Sequence, residues 1–155
     1  MSGHVDAKLK DLGIALPKAA APVANYVPYV ISGKLVFVSG QVTVGPTGLE
    51  YVGHVGKDFT VEQGQAAARL CALNLIAQLR EACGGDLDRV RRCVKLTGFV
   101  NAIPGFTQHP EVINGASDLM VQVFGDAGKH ARAAVGAGSL PRNVAVEVDA
   151  IFEIA

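Results

Sequence analysis

The chain has 155 residues, a length that fits one domain with a sizeable core. Half of the residues are apolar and only 18% are charged, which predicts that some apolar surface is covered by other subunits. The formal net charge is zero and the densest basic cluster is only Arg89, Arg91, Arg92 and Lys95, so binding of nucleic acid through its phosphates is disfavoured.

Residues Met1 to Leu12 alternate Lys and Asp with apolar residues and hold no hydrophobic run, so neither a signal peptide nor a membrane span is expected there. His4 to Leu12 predicts a short amphipathic helix. Ala15 to Pro28, with Pro17, Pro22 and Pro28, reads as an extended lead-in. Tyr29 to Ile31 and Lys34 to Val42 predict paired strands around Ser32-Gly33. Leu35-Val36-Phe37-Val38 is apolar throughout, which predicts a strand covered on both faces. Ser39-Gly40-Gln41 interrupts that run, and Gly45-Pro46-Thr47-Gly48 marks a turn.

Thr60 and Gln63 have the spacing of a capping box, so a helix is expected from about Val61. Ala68, Cys71, Ala72, Leu75, Leu79 and Ala82 recur at helical spacing until Gly84-Gly85 stops the run. Val90 to Val100 predicts a strand. A second helix is expected from about Pro110 to Phe124, with Val112, Ala116, Leu119 and Val123 as its buried stripe. Gly125 to Gly128 ends it. Val144 to Ile154 predicts a last strand, with Val144, Val146, Val148, Ala150, Phe152 and Ile154 on one face and Glu147, Asp149, Ile151 and Glu153 on the other. The order is β-β-α-β-α-β-β. Two such helices suffice for one face of a sheet only, which argues for an α+β fold whose other face is buried by self-association.

Cys71, Cys83 and Cys93 sit in apolar runs without a C-x-x-C pair, and read as reduced core thiols of a cytoplasmic protein. His4, His54, His109 and His130 show no ligand spacing, so no metal site is expected. Neither a phosphate-binding loop nor a dinucleotide fingerprint is present, and the serine-hydrolase elbow is absent. The chemistry-bearing residues are Arg132, isolated among alanines and glycines, and Glu147 in the final strand. Placed on adjacent strands, such a pair could hold an anionic substrate and activate a water. A guanidinium in apolar surroundings suits a bidentate carboxylate, and a glutamate in a semi-apolar cleft has a raised pKa and can act as acid and base near neutral pH.

The element order, Val-Ser-Gly-Gln at 38–41, the spacing from Arg132 to Leu140-Pro141, and Val-Glu-Val-Asp-Ala at 146–150 together resemble the Rid family, also called the YjgF or endoribonuclease L-PSP-like family. The resemblance runs from about Tyr26 to Ala155 and implies a single domain over 1–155, with an N-terminal extension over 1–20 and a core of about 26–155. It implies a chorismate-mutase-like α+β fold, a mixed sheet with two helices on one face, and a homotrimer with active sites in the clefts between subunits. It also implies hydrolysis of reactive enamines and imines, 2-imino acids giving 2-keto acids and ammonia, without a cofactor. Carried over by position, Arg132 binds the substrate carboxylate and Glu147 positions the water. Tyr26 lines the cleft, Asn114 falls near the start of the second helix, and Ser39 and Gly40 supply backbone to the pocket.

Two positions depart from the family pattern. The second residue after the arginine, often cysteine in the family, is Ala134 at the substrate side of the site, and Gly136 stands where an acidic residue is often found. The chain therefore reads as a divergent branch. Two other readings stand beside the deaminase: a trimer that binds small metabolites without turning them over, and an endoribonuclease. The neutral charge and scattered basic residues argue against the last.

Overall fold

The computed structural model describes residues 3–21 and 24–155. Met1 and Pro22, which belong to the expectations for the N-terminal stretch and the lead-in, lie outside the described residues. In chain order the elements are α1 (His4–Asp11), β1 (Tyr29–Ser32), β2 (Leu35–Gln41), β3 (Val44–Gly45), β4 (Gly48–Leu49), α2 (Val61–Ala82), β5 (Val90–Asn101), α3 (His109–Phe124), β6 (Ala131–Ala137) and β7 (Val146–Ile154). The short β3–β4 hairpin turns at Pro46-Thr47. The five long strands form one mixed sheet in the order β1-β2-β7-β5-β6. Only β5 and β6 run parallel, joined by the crossover through α3; the other pairs are antiparallel.

Local chemistry explains where the helices begin and end. Thr60 caps α2 through both bonds of a capping box: its hydroxyl accepts from Gln63 N at 3.2 Å, and its own N–H donates to Gln63 Oε1 at 2.8 Å. The helix ends at Ala82, before the left-handed Gly84 and Gly85. Asp88 reaches across to the first turn of α1, where its carboxylate accepts from His4 N and Val5 N, each at 2.8 Å. That anchors α1 by its N-terminus while Val5 and Leu9 enter the core.

The α2 and α3 helices cover one face of the sheet. Val146, Val148, Ala150, Phe152 and Ile154 of β7 are all buried there, and the residues between them are half-buried on the opposite face. Val112, Ala116, Leu119 and Val123 of α3 are buried as the periodicity predicts. The two helices pack closely because Gly115 places its bare Cα against the backbone of Gln65.

The opposite face is open. Val30 of β1 pairs with Phe37 of β2, which pairs with Ile151 of β7. Val30 is 53% exposed and Phe37 42%. The expectation that residues 35–38 are covered on both faces therefore fails within one chain. Val36 and Val38 are buried under the helices, whereas Phe37 points away from them.

All three cysteines are buried free thiols. Burial pushes the Cys93 thiol up to about 12, and also raises those of Cys71 and Cys83. No described helix is long and apolar enough to cross a membrane.

Candidate active site

Arg132 lies on β6, the edge strand, where it pairs with Leu96 of β5. Residues opposite one another in a sheet share a face, and Leu96 is fully buried beneath the helices. Arg132 therefore projects to the helix side and meets α3. Its Nη1 donates to Asn114 Oδ1 at 2.7 Å and to Ser117 Oγ at 3.2 Å. Asn114 and Ser117 are three residues apart, adjacent on one helix face.

Ser117 is fixed in turn by His130, whose Nε2 is 2.9 Å from the serine oxygen. His130 Nδ1 lies 2.6 Å from the carbonyl of Gly128. A carbonyl only accepts, so in the neutral ring Nδ1 carries the proton and Nε2 accepts from the Ser117 hydroxyl. That leaves the Ser117 oxygen free to receive the arginine. The guanidinium has no acidic partner: the ion pairs among the described residues are His54–Asp58 and Lys129–Asp126. A half-buried cation held by neutral acceptors alone is short of a counter-charge of the kind a carboxylate would supply.

Glu147 occupies a different place. It pairs with Phe99 of β5, three residues beyond the partner of Arg132. Side chains alternate along a strand, so Glu147 leaves the sheet on the open face. The strand order also puts β5 between β6 and β7. The expectation that Arg132 and Glu147 sit on adjacent strands is thus corrected: within one chain they are separated by a strand and point to opposite faces. The cause is topological. The crossover through α3 lays β6 on one side of β5, and β7 returns antiparallel on the other.

The surroundings of Glu147 suit proton transfer. Burial raises its carboxyl above the ordinary carboxylate range, and the negative charge of Asp149 adds to that. Against it lies Gly40. A Cβ at position 40 would stand 3.1 Å from Glu147 Cδ, so only glycine leaves the carboxylate undisturbed there. The β2–β7 register shifts at this point: Val38 pairs with Ala150, but Gln41 pairs with Val148. One extra residue on β2 makes a bulge at Ser39-Gly40, the feature that re-aims strands beside functional sites.

Ser39 spends its polar groups on the preceding segment. Its hydroxyl donates to Val27 O at 2.7 Å and its N–H to Pro28 O at 2.9 Å. These bonds tie the bulge to the segment carrying Tyr26, which is 52% exposed. Tyr26, Ser39 and Gly40 line one cleft of about 200 Å³, together with Ala20, Asn74, Gln78 and Arg142. The N-terminal segment thereby forms part of the cleft wall, pinned by Gln78 Nε2, which donates to Ala20 O at 2.8 Å.

The sequence-predicted residues thus fall into two groups. Arg132 and Asn114 meet on the helix side of β6, with Ala134 one strand period away, packed against the core opposite Gly98. Tyr26, Ser39, Gly40 and Glu147 gather around the β2 bulge. Sequence reasoning missed Ser117, His130 and Arg142. Ser117 was findable as the next turn of the helix from Asn114. His130 reaches Ser117 through a tertiary contact that carries no local signal, and Arg142 is brought to the Tyr26 cleft by the fold. Among the described residues, no group of three or more His, Cys, Asp or Glu side chains could hold a metal ion.

A mixed five-stranded sheet backed by two helices, with a cation on its edge strand and a glutamate beside a glycine bulge, defines an α+β class of protein. The family model described as "YjgF/chorismate_mutase-like, putative endoribonuclease" matches residues 6–154, and the chain belongs to that family. Protein TCP17 of Trypanosoma cruzi is 54% identical over 154 residues, covering 99% of this chain and 96% of its own. The crystal structure of Atu1372, a protein of unknown function from Agrobacterium tumefaciens, is 50% identical with a TM-score of 0.91, covering 97% of this chain and 92% of its own. The crystal structure of E. coli TdcF with bound serine is 25% identical with a TM-score of 0.63, covering 89% of this chain and 94% of its own.

Proposed function

We propose that the protein is a hydrolytic deaminase of reactive enamines and imines, converting 2-imino acids to 2-keto acids and ammonia, with its site assembled between copies of the chain in a homotrimer. The observation that carries this reading is Arg132: a half-buried guanidinium fixed by Asn114 and Ser117 and left without a carboxylate. It has the form of a receptor for the substrate carboxylate. Because Glu147 stands on the opposite face of the same sheet, the arginine of one subunit would act with the glutamate, Tyr26 and Gly40 of the next. The exposed apolar residues Val30, Phe37 and Val135 on the open face supply surface for that association.

In the reaction, the Glu147 carboxylate accepts a proton from water as the water oxygen bonds to the imine carbon. The carboxyl returns that proton to nitrogen, giving a carbinolamine. The carboxylate then takes the carbinolamine hydroxyl proton and passes it to nitrogen as the C–N bond breaks, so that the keto C=O forms and ammonia leaves. A carboxyl whose pKa is raised by burial is suited to both halves of this transfer. No cofactor enters the proposal.

Ammonia release from 2-imino acids generated in situ by an amino-acid oxidase tests it. The parent accelerates release and Arg132→Ala does not. Mixed trimers of Arg132→Ala and Glu147→Gln subunits recover part of the activity, since some clefts then pair two intact halves. Equal rates for the parent and Arg132→Ala overturn the assignment. The serine bound in the TdcF structure favours a second reading, a trimer that binds small amino or keto acids without turnover, for which saturable binding with no ammonia release is the signature.

A further inference from the structure

The Tyr26 cleft contains one charged residue among those that line it, Arg142. Its other polar residues are neutral, and the amides of Asn74 and Gln78 are spent on the walls: Asn74 Nδ2 donates to Val44 O at 3.0 Å, and Gln78 Nε2 to Ala20 O. The Arg142 side chain has no hydrogen bond and no ion pair among the described residues. It is an unspent guanidinium at a small cleft.

The backbone under Arg142 is held in a costly conformation. Arg142 has φ 55° and ψ 20°, and the next residue, Asn143, has φ 60°. Consecutive left-handed non-glycine residues persist only where the surroundings over-determine them. Here they do. Gly53 N donates to Asn143 O at 2.8 Å, and Asn143 N to Leu140 O at 3.0 Å. Asn101, fully buried at the end of β5, donates its amide to Asn143 Oδ1 and Val144 O, each at 3.1 Å. A buried amide and a strained turn thus set the position of one arginine at the edge of the cleft.

We propose that Arg142 is a second anion-binding point of the site, so that the ligand is a short dicarboxylic 2-imino or 2-keto acid, its α-carboxylate on Arg132 and its distal carboxylate on Arg142. The placement of the α-carboxylate rests on the intersubunit deaminase reading; the Arg142 point does not. A planar guanidinium fork matches a carboxylate in two parallel bonds. The cleft measures about 200 Å³ within one chain, below the roughly 300 Å³ at which drug-sized pockets begin, and has room for the distal end of a small ligand.

The test is direct binding by titration calorimetry of α-ketoglutarate against α-ketovalerate, equal in carbon chain and differing by one carboxylate. The parent binds α-ketoglutarate at least about tenfold tighter, the size of one good charge-assisted bond. In Arg142→Gln that ratio falls towards one. Arg142→Gly, which relieves the left-handed backbone and so keeps the fold, gives the same loss. Arg132→Ala weakens both ligands. Equal affinities in the parent, or an unchanged ratio in both Arg142 variants, overturn the inference. Its fate is separable from that of the deaminase: an Arg142-dependent ratio without ammonia release from any imine retains the dicarboxylate site and removes the catalytic reading, and rapid imine hydrolysis without a ratio does the reverse.

Discussion

Arg132 Nη1 donates to Asn114 Oδ1 at 2.7 Å, joining the edge strand to the helix that precedes it across 18 residues of sequence. The bond matters because a flexible arginine loses entropy each time it captures a ligand, and a pre-positioned one loses less. Hydrogen bonds to charged groups contribute roughly 1.5–3 kcal/mol. Asn114→Ala and Ser117→Ala are each expected to lower kcat/KM for imino acids by about tenfold or more, chiefly through KM. His130→Ala should reproduce the Ser117 defect, because it frees the serine hydroxyl to rotate away. Steady-state ammonia release checks all three, and a His130→Ala enzyme with parental KM would show that the relay does not govern the arginine.

Glu147 and stability should be linked in a definite direction. Its carboxyl is raised in the folded protein by burial and by Asp149, so the folded state holds its proton more tightly than the unfolded one. Stability from this group is then fully present below the ordinary carboxylate value and is lost as pH rises through the raised one. Glu147→Gln removes that loss. The variant is expected to melt above the parent at neutral pH, with the difference closing near pH 4, the ordinary range of a glutamate, while its ammonia release is abolished. Thermal melts across this range decide it. A lower melting temperature for Glu147→Gln at neutral pH would show that the carboxylate is stabilised by its surroundings.

Gly115 lies where α3 crosses α2, against the backbone of Gln65. A methyl group there has no flexible side chain to displace, so the helices must separate. Gly115→Ala is expected to destabilise the protein by about 1–3 kcal/mol despite alanine's better helix propensity. Chemical denaturation measures it, and an exposed helical glycine would instead gain stability from the same change.

Asn101 carries three amide bonds, to Gly53 O, Asn143 Oδ1 and Val144 O, although its own Oδ1 is buried without a partner. Asn101→Ala leaves those acceptors unsatisfied at a cost of about 1–3 kcal/mol. It also releases the turn at Arg142. The expected outcome is a lowered denaturation midpoint together with a reduced preference for α-ketoglutarate, whereas Gly115→Ala lowers the midpoint and leaves the preference in place.

The elements and their faces were legible from local pattern. The capping residues Thr60 and Gln63, the stripe on α3 and the alternation along β7 each depend on neighbours within one or two turns. The Arg132 and Glu147 positions were visible as polar residues in apolar runs. Their relation was not. Strand order depends on which segments pair over long separations, and a period of two says which side chains share a face of one strand without saying which strands are neighbours. The tertiary structure therefore decided that β5 lies between β6 and β7 and that the two groups point apart. It decided also that Ser117 and His130 hold the arginine, and that a buried Asn101 fixes a left-handed Arg142 at a cleft formed in part by the N-terminal segment. Those contacts join residues far apart in the chain, and hydrogen-bond geometry between distant segments exists only once the sheet and helices have packed.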